Sequence, residues 1–247
     1  MIRAIALKEW RVLFASPLAW VVLAFLQLVF AWVFLSRLNA FLELQSQLAT
    51  TPGAPGLTEI VAAPVFGTAT IILLMVVPLL SMRLVAEERR SQTLPFLISA
   101  PVSITQIVLG KFLALVGILA LAVGLIVAMC ASLYLGGRLD LGLLAANALG
   151  LLLLAGGFAA VGLYLSCLTA QPLVAAVGTF AVLLALWLIN ISATDPSSLL
   201  HVLSLIQHFE SFAKGTLALK DLGYYLALIA LFLLLSIRRL DADRLRA

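Results

Sequence analysis

From Leu141 to Leu165 the chain carries no charged residue, and five further stretches are equally bare: Pro17–Ser36, Ile60–Met82, Phe112–Leu135, Leu173–Ile191 and Leu222–Ile237. A helix of about 20 apolar residues crosses roughly 30 Å of hydrocarbon. Hydrophobic residues make up 64% of the 247 residues and charged ones only 11%, too few to clothe a water-soluble surface. The apolar character is continuous rather than alternating, which predicts helices and not a barrel. The expected fold class is therefore an all-α integral membrane protein with six transmembrane helices, forming one domain over residues 1–247. The sixth stretch is short and is expected to borrow a turn from the loop before it.

Charge asymmetry sets the orientation. With six spans, both termini share a side with the loops after spans two and four. That side holds Arg3, Lys8, Arg11, Arg83, Arg89, Arg90, Lys111, Arg238, Arg239, Arg244 and Arg246, or 11 of the 15 Lys and Arg residues. Acidic residues divide 5 to 6, so the bias belongs to the cations alone. The positive-inside rule then predicts both termini and residues 83–111 in the cytoplasm. Clusters beside apolar runs explain the net charge of +4 better than a nucleic-acid surface does. No cleavable signal peptide is expected, because the first run begins late and is too long for one.

On the other side, residues 37–59 read as a polar loop broken at TPGAPG (51–56). The 136–140 connection is short and makes spans three and four a hairpin. Residues 192–220 repeat apolar positions at helical spacing (Leu199, Leu203, Ile206, Phe209), which fits one or two short interfacial helices or an amphipathic surface loop. Gly142, Ala146 and Gly150 share one face of span four, a pattern that lets helices approach closely.

Several functions are disfavoured. No Asp, Glu, Lys, Arg or His lies deep in a span, where ion-coupled transporters and pumps usually need one. Neither H-E-x-x-H nor G-x-S-x-G occurs, and no phosphate-binding glycine loop does either. His201, His208 and Glu210 share a loop, but a histidine pair seven apart lacks a third ligand, so no metal site is expected. Cys130 and Cys167 lie in or beside apolar runs and offer neither a disulfide framework nor ligand spacing.

The densest charge cluster sits between two apolar runs, in EERRSQTLPFLISAPVS (87–103). Helix is expected to continue from span two through Leu84 and Val85 to Arg90. Pro95 and Pro101 disfavour helix at Leu94 and Ala100, leaving a short apolar turn, Phe96-Leu97-Ile98, between them. Ser103 with Gln106 reads as a capping box opening the next helix.

Residues 87–112, EERRSQTLPFLISAPVSITQIVLGKF, resemble the coupling-loop signature of ABC-2-type transporter permeases. A second stretch, HFESFAKGTLALKDLGYYLALIALFLLL (208–235), is similar to the segment before the last span in the gliding-motility-type branch of that family; His208, Phe209, Phe212, Gly215, Asp221 and Tyr224 carry the likeness. Pro95 stands where the family often has glutamate, and Gln92 replaces a usual glycine. The resemblance implies a non-catalytic permease subunit in a bacterial inner membrane, paired with a second permease protomer, identical or not. Two ABC ATPase subunits would dock on its cytoplasmic side and carry the ATP and Mg; this chain would bind no cofactor. An auxiliary membrane protein with an outer domain is a further implied partner.

Residues 1–16 would form an elbow helix on the inner surface, with Arg3, Lys8 and Arg11 at the headgroups and Ile2, Ile5, Trp10 and Leu13 toward lipid; Glu9 interrupts that pattern. Residues 87–103 would be the coupling helix. There Glu87 and Glu88 would pair with basic groups on the ATPase, or with Arg89 and Arg90. Phe96 and Leu97 would fill an apolar cleft, and Thr93, Leu94, Ser99 and Pro101 would complete the element. The implied function is export or extraction of a hydrophobic or envelope-related substrate. The alternative is a transmitter that passes ATPase motion to an outer partner without moving a substrate.

Overall fold

The computed structural model describes residues 2–48, 56–99, 102–135, 139–192 and 204–244. Every regular element among them is helical, and six helices are long and apolar enough to cross a membrane. Helix α1 (Ile2–Ala15) leads into α2 (Pro17–Leu48). A π-helical stretch, Thr58–Ala62, runs into α3 (Ala63–Ser81), followed by two short helices, α4 (Ala86–Arg90) and α5 (Leu94–Ser99). Then come α6 (Ile104–Ala131) with a 3-10 turn over Ser132–Leu135, α7 (Leu141–Leu168), α8 (Pro172–Ser192), α9 (Leu205–Ala213) and α10 (Leu219–Arg244).

Local chemistry sets the starts. Ser103 accepts from the Gln106 N–H at the head of α6, and Asp140 Oδ1 accepts from the Leu143 N–H at the head of α7 (3.0 Å). Pro17 and Pro172 open α2 and α8, where a missing N–H costs nothing.

The core is built around α7. Its most apolar window is 72% buried, against 22% for α8 and for α10, so α7 is the central post and the others surround it. Small residues make this possible. Gly162 sits against Ser81 of α3, and Gly157 against Leu228 of α10. A methyl group added at Gly150 would lie 2.6 Å from Cβ of Phe212, so glycine there admits α9 to the core.

Four expectations need correction. Helix α2 does not stop at Ser36 but continues to Leu48, taking in much of the expected loop. Residues 37–48 contain neither proline nor glycine, and Leu38 and Phe41, one turn apart, pack on the core. The helix of span two does not run on into the charge cluster: α3 ends at Ser81, and Met82–Val85 form a turn before α4. The Phe96-Leu97-Ile98 turn is helical, part of α5, with Pro95 in its first turn, where proline is tolerated. Finally, α1 does not offer Ile5 and Trp10 to lipid alone. Ile5 packs over Gly110 and Trp10 over Gly117, both on α6.

In the 192–220 segment, α9 is tucked against the bundle with Phe209 and Phe212 buried. Leu199 and Leu203 lie outside the described residues.

Gly150→Ala is expected to destabilise the chain by about 1–3 kcal/mol, because Phe212 cannot yield without moving α9. A lowered thermal unfolding midpoint in detergent, with Gly223→Ala as the open-space control, would register it.

Candidate functional site

The charged segment after α3 is held by one buried lysine. Lys111, in the second turn of α6, is 1% exposed. Its ammonium has three protons, and three acceptors surround it: the Leu84 carbonyl at 2.7 Å, Glu88 Oε1 at 2.7 Å and Glu9 Oε1 at 3.3 Å. One side chain thus ties α6 to the turn after α3, to α4 and to α1. A buried ammonium is tolerated only when paired and hydrogen-bonded in this way. Glu9, which interrupts the amphipathic pattern of α1, is the residue that points inward.

Glu9 also accepts from Lys8 at 2.9 Å. Burial alone would push its carboxyl up, but Lys111 and Lys8 together hold it below its ordinary value. The same bond to Glu9 raises Lys8 against the opposing effect of partial burial.

The turn before α4 has its own support. The Ser166 hydroxyl, near the end of α7, accepts from the Val85 N–H (3.1 Å) and the Ala86 N–H (3.0 Å), and donates to the Met82 carbonyl (3.0 Å). These backbone groups lose their helical partners where α3 stops, and Ser166 supplies others. Arg89, next to Glu88, points the opposite way. It donates to the Cys167 carbonyl at the end of α7 (2.8 Å) and to Asp243 Oδ2 on α10 (2.6 Å). Two adjacent residues of α4 therefore grip two separate parts of the bundle.

Helix α4 ends in a Schellman cap. The Thr93 N–H bonds the Glu88 carbonyl (2.9 Å), the Gln92 N–H bonds the Arg89 carbonyl (3.4 Å), and Gln92 has φ +58°. This explains why glycine suits that position. Beyond the cap, Leu94 is buried and anchors α5, Leu97 is half-buried, and Phe96 is 77% exposed. Glu87, Arg90 and Thr93 are exposed, whereas Glu88 and Arg89 are half-buried and engaged within the chain, Glu88 by Lys111 rather than by Arg89 or Arg90. Ser99 closes α5, and Pro101 lies outside the described residues. On α1, Arg3, Lys8, Trp10 and Arg11 are all exposed.

A second cluster gathers at the α9–α10 corner. His208 Nδ1 and Asp221 Oδ1 are 2.6 Å apart, and the His208 ring stacks on Tyr224 with centroids 4.0 Å apart. The Tyr225 hydroxyl donates to the Leu205 carbonyl (2.8 Å). Gly215, at φ +78°, closes α9 through the Thr216 N–H to Ser211 carbonyl bond (2.9 Å). A side chain at that φ would be strained. His208, Phe209, Phe212, Gly215, Asp221 and Tyr224 thus share one corner. Among the described residues no group of three His, Cys, Asp or Glu side chains could hold a metal.

Sequence reasoning missed Ser166, Lys111 as the hub, and Asp243. A serine near the end of an apolar helix gives little signal by itself. The signal available for Lys111 was a cation at the edge of a span facing two acids.

A family model described as ABC-2 family transporter protein matches residues 3–245. Since that is nearly the whole chain, the chain belongs to the ABC-2 transporter family. The comparison with curated proteins found no match.

Lys111→Met should lower stability by about 3 kcal/mol, since it leaves half-buried Glu88 without its cation and buried Glu9 with Lys8 alone; adding Glu88→Gln should recover part of the loss, read as thermal midpoints of single and double variants. Gln92→Gly should stabilise by about 1 kcal/mol by relieving the left-handed backbone. Because the folded carboxyl of Glu9 lies below its ordinary value of 4.5, its contribution is complete above that pH and lost as the pH falls through the lower folded value. Protection factors of the α1 amides, which correct for the intrinsic pH dependence of exchange, should therefore stay constant from neutrality to about pH 5 and fall in stronger acid, and Glu9→Gln should abolish that acid step.

Proposed function

We propose that this ABC-2 family member is the membrane permease subunit of an ATP-binding cassette transporter. It couples ATP hydrolysis on a separate ATPase to export or extraction of a hydrophobic or envelope-related substrate. The observation that carries the reading is the mounting of α4 and α5. Exposed Glu87, Arg90, Thr93 and Phe96 form a surface, while Glu88 and Arg89 bind the same segment to α1, α6, α7 and α10. A push on that surface is delivered to most of the bundle at once.

In this reading α4 and α5 are the coupling element, with Phe96 and Leu97 as the apolar anchor in a cleft of the ATPase and Glu87 and Arg90 as flanking charges. Helix α1 is the elbow, braced on α6 through Ile5, Trp10 and Glu9. In this reading the membrane is a bacterial inner membrane and this end faces the cytoplasm, an orientation that the excess of Lys and Arg supports. A second protomer completes the permease. Closure of the ATPase pair shifts the bundle between two packed arrangements, a displacement that close-packed helices transmit rather than absorb.

The projecting end of α2 and the clamped α9–α10 corner favour a second reading. There the same motion passes to an outer partner seated on that end, without a substrate crossing.

Phe96→Asp and Leu97→Asp, introduced separately into the ATPase-containing complex, should each reduce substrate-coupled ATP hydrolysis at least tenfold, the effect of losing about 1.4 kcal/mol of docking energy. Insertion and thermal midpoint of the Phe96 variant should remain unchanged, since that side chain is exposed. Undiminished coupling in both variants would overturn the assignment.

A further inference from the structure

The end of the bundle that carries α4 and α5 also holds a cleft of about 720 Å³, between α1 with the start of α2 on one side and the end of α3 with α4 and α5 on the other. Its walls are mainly apolar, contributed by Val12, Leu13, Leu80 and Leu84 together with Phe96 and Leu97 of α5. Leu18 lies in the first turn of α2 and Leu80 in the last turn of α3, so the cleft sits where two membrane-crossing helices meet the polar end of the bundle. In a bundle that spans a membrane, that end lies at headgroup depth.

The charges along the cleft are of two kinds. Glu9 and Glu88 are taken up by Lys111, inside the fold. The others are exposed: the Lys8 side chain, 60% accessible although one of its protons is given to Glu9 (2.9 Å), and Arg83 and Glu87, neither of which forms an ion pair among the described residues. The cleft therefore presents a guanidinium and an ammonium together with one unneutralised carboxylate, above an apolar trough. A guanidinium matches phosphate geometry, and an exposed carboxylate matches a compact N–H donor cation.

We propose that this cleft binds one zwitterionic phospholipid whose headgroup carries a phosphate and a primary ammonium. The phosphate lies on Arg83 and Lys8, the ammonium on Glu87, and an acyl chain along Val12, Leu13 and Leu80. A trimethylated headgroup offers Glu87 no N–H, and a glycerol headgroup offers it no positive charge. The bound lipid lies between α1 and α5, in contact with Phe96 and Leu97, which line the same cleft. The inference rests on the chain spanning a membrane; Glu87, Phe96 and Leu97, which the proposed coupling surface also uses, face the lipid in the chain without its ATPase.

The test is native mass spectrometry of the full-length chain released from nanodiscs of equal phosphatidylethanolamine, phosphatidylcholine and phosphatidylglycerol. Phosphatidylethanolamine should be retained roughly fivefold over either competitor, the worth of one net hydrogen bond. Glu87→Gln should erase that preference, Arg83→Ala should weaken retention of all three lipids, and Val12→Trp should displace the lipid by filling the trough. Each variant is checked for an unchanged thermal midpoint; all three positions are exposed, which protects the fold. Equal retention of the three lipids by the native chain, a preference for phosphatidylglycerol, or a preference that survives Glu87→Gln would overturn the proposal. So would a cross-link from position 12 to an ATPase subunit in the intact complex, because it would put protein in the cleft.

Discussion

A fully buried ammonium governs this end of the molecule. Lys111 cannot stay in an apolar helix bundle without acceptors for all three of its protons, and each acceptor comes from a different piece of chain. Leu84 supplies a carbonyl because α3 has stopped. Glu88 arrives because α4 then starts on a new axis, and Glu9 because α1 lies on α6. Packing and electrostatics agree here: the close seating of Ile5 on Gly110 brings Glu9 within reach. Remove the lysine, and three otherwise unrelated segments lose their common point.

The other half of the grip lies across the bundle. Ser166 replaces the helical partners that Val85 and Ala86 lost, and Arg89 takes up a carbonyl at the end of α7 together with a carboxylate on α10. Since α7 is the most buried helix, a segment rooted on its end is rooted on the core. Helix α4 is too short to hold its own conformation. It is defined instead by the pair of opposed contacts from Glu88 and Arg89, and by the left-handed cap at Gln92. What remains outside, with Phe96 the most exposed of its apolar residues, is a rigidly mounted surface at the polar end of a membrane bundle. The opposite end shows the same economy: His208, Asp221 and Tyr224 join α9 to α10, and Gly150 lets Phe212 into the core.

Much of this was legible in the sequence, and the limits have physical causes. The six membrane-crossing helices follow from uncharged runs, because hydrocarbon leaves no alternative partner for the backbone. Helix beyond the membrane was harder to see: residues 37–48 look like a loop on hydropathy, yet Leu38 and Phe41 extend the apolar stripe and carry the helix on to Leu48. The charge cluster stood out, but its internal division did not. Glu87, Glu88, Arg89 and Arg90 are alike in sequence, and only packing separates the exposed outer pair from the inner pair that turns in toward Lys111 and Asp243. Glu9 read as a flaw in an amphipathic helix because its partner lies far along the chain. Gln92 differed from the family's usual glycine, and its positive φ shows what that glycine serves.

In the function proposed for this chain, the surface bearing Phe96, held by Lys111 and Arg89, is where an ATPase meets it. Site-specific photocross-linking from position 96, in the complex isolated from its native membrane, tests this most directly. An adduct with a nucleotide-binding subunit, whose yield changes between nucleotide-free and ATP-bound states, is the expected result. An adduct confined to lipid or to a second copy of this chain, unchanged by nucleotide, would contradict the account.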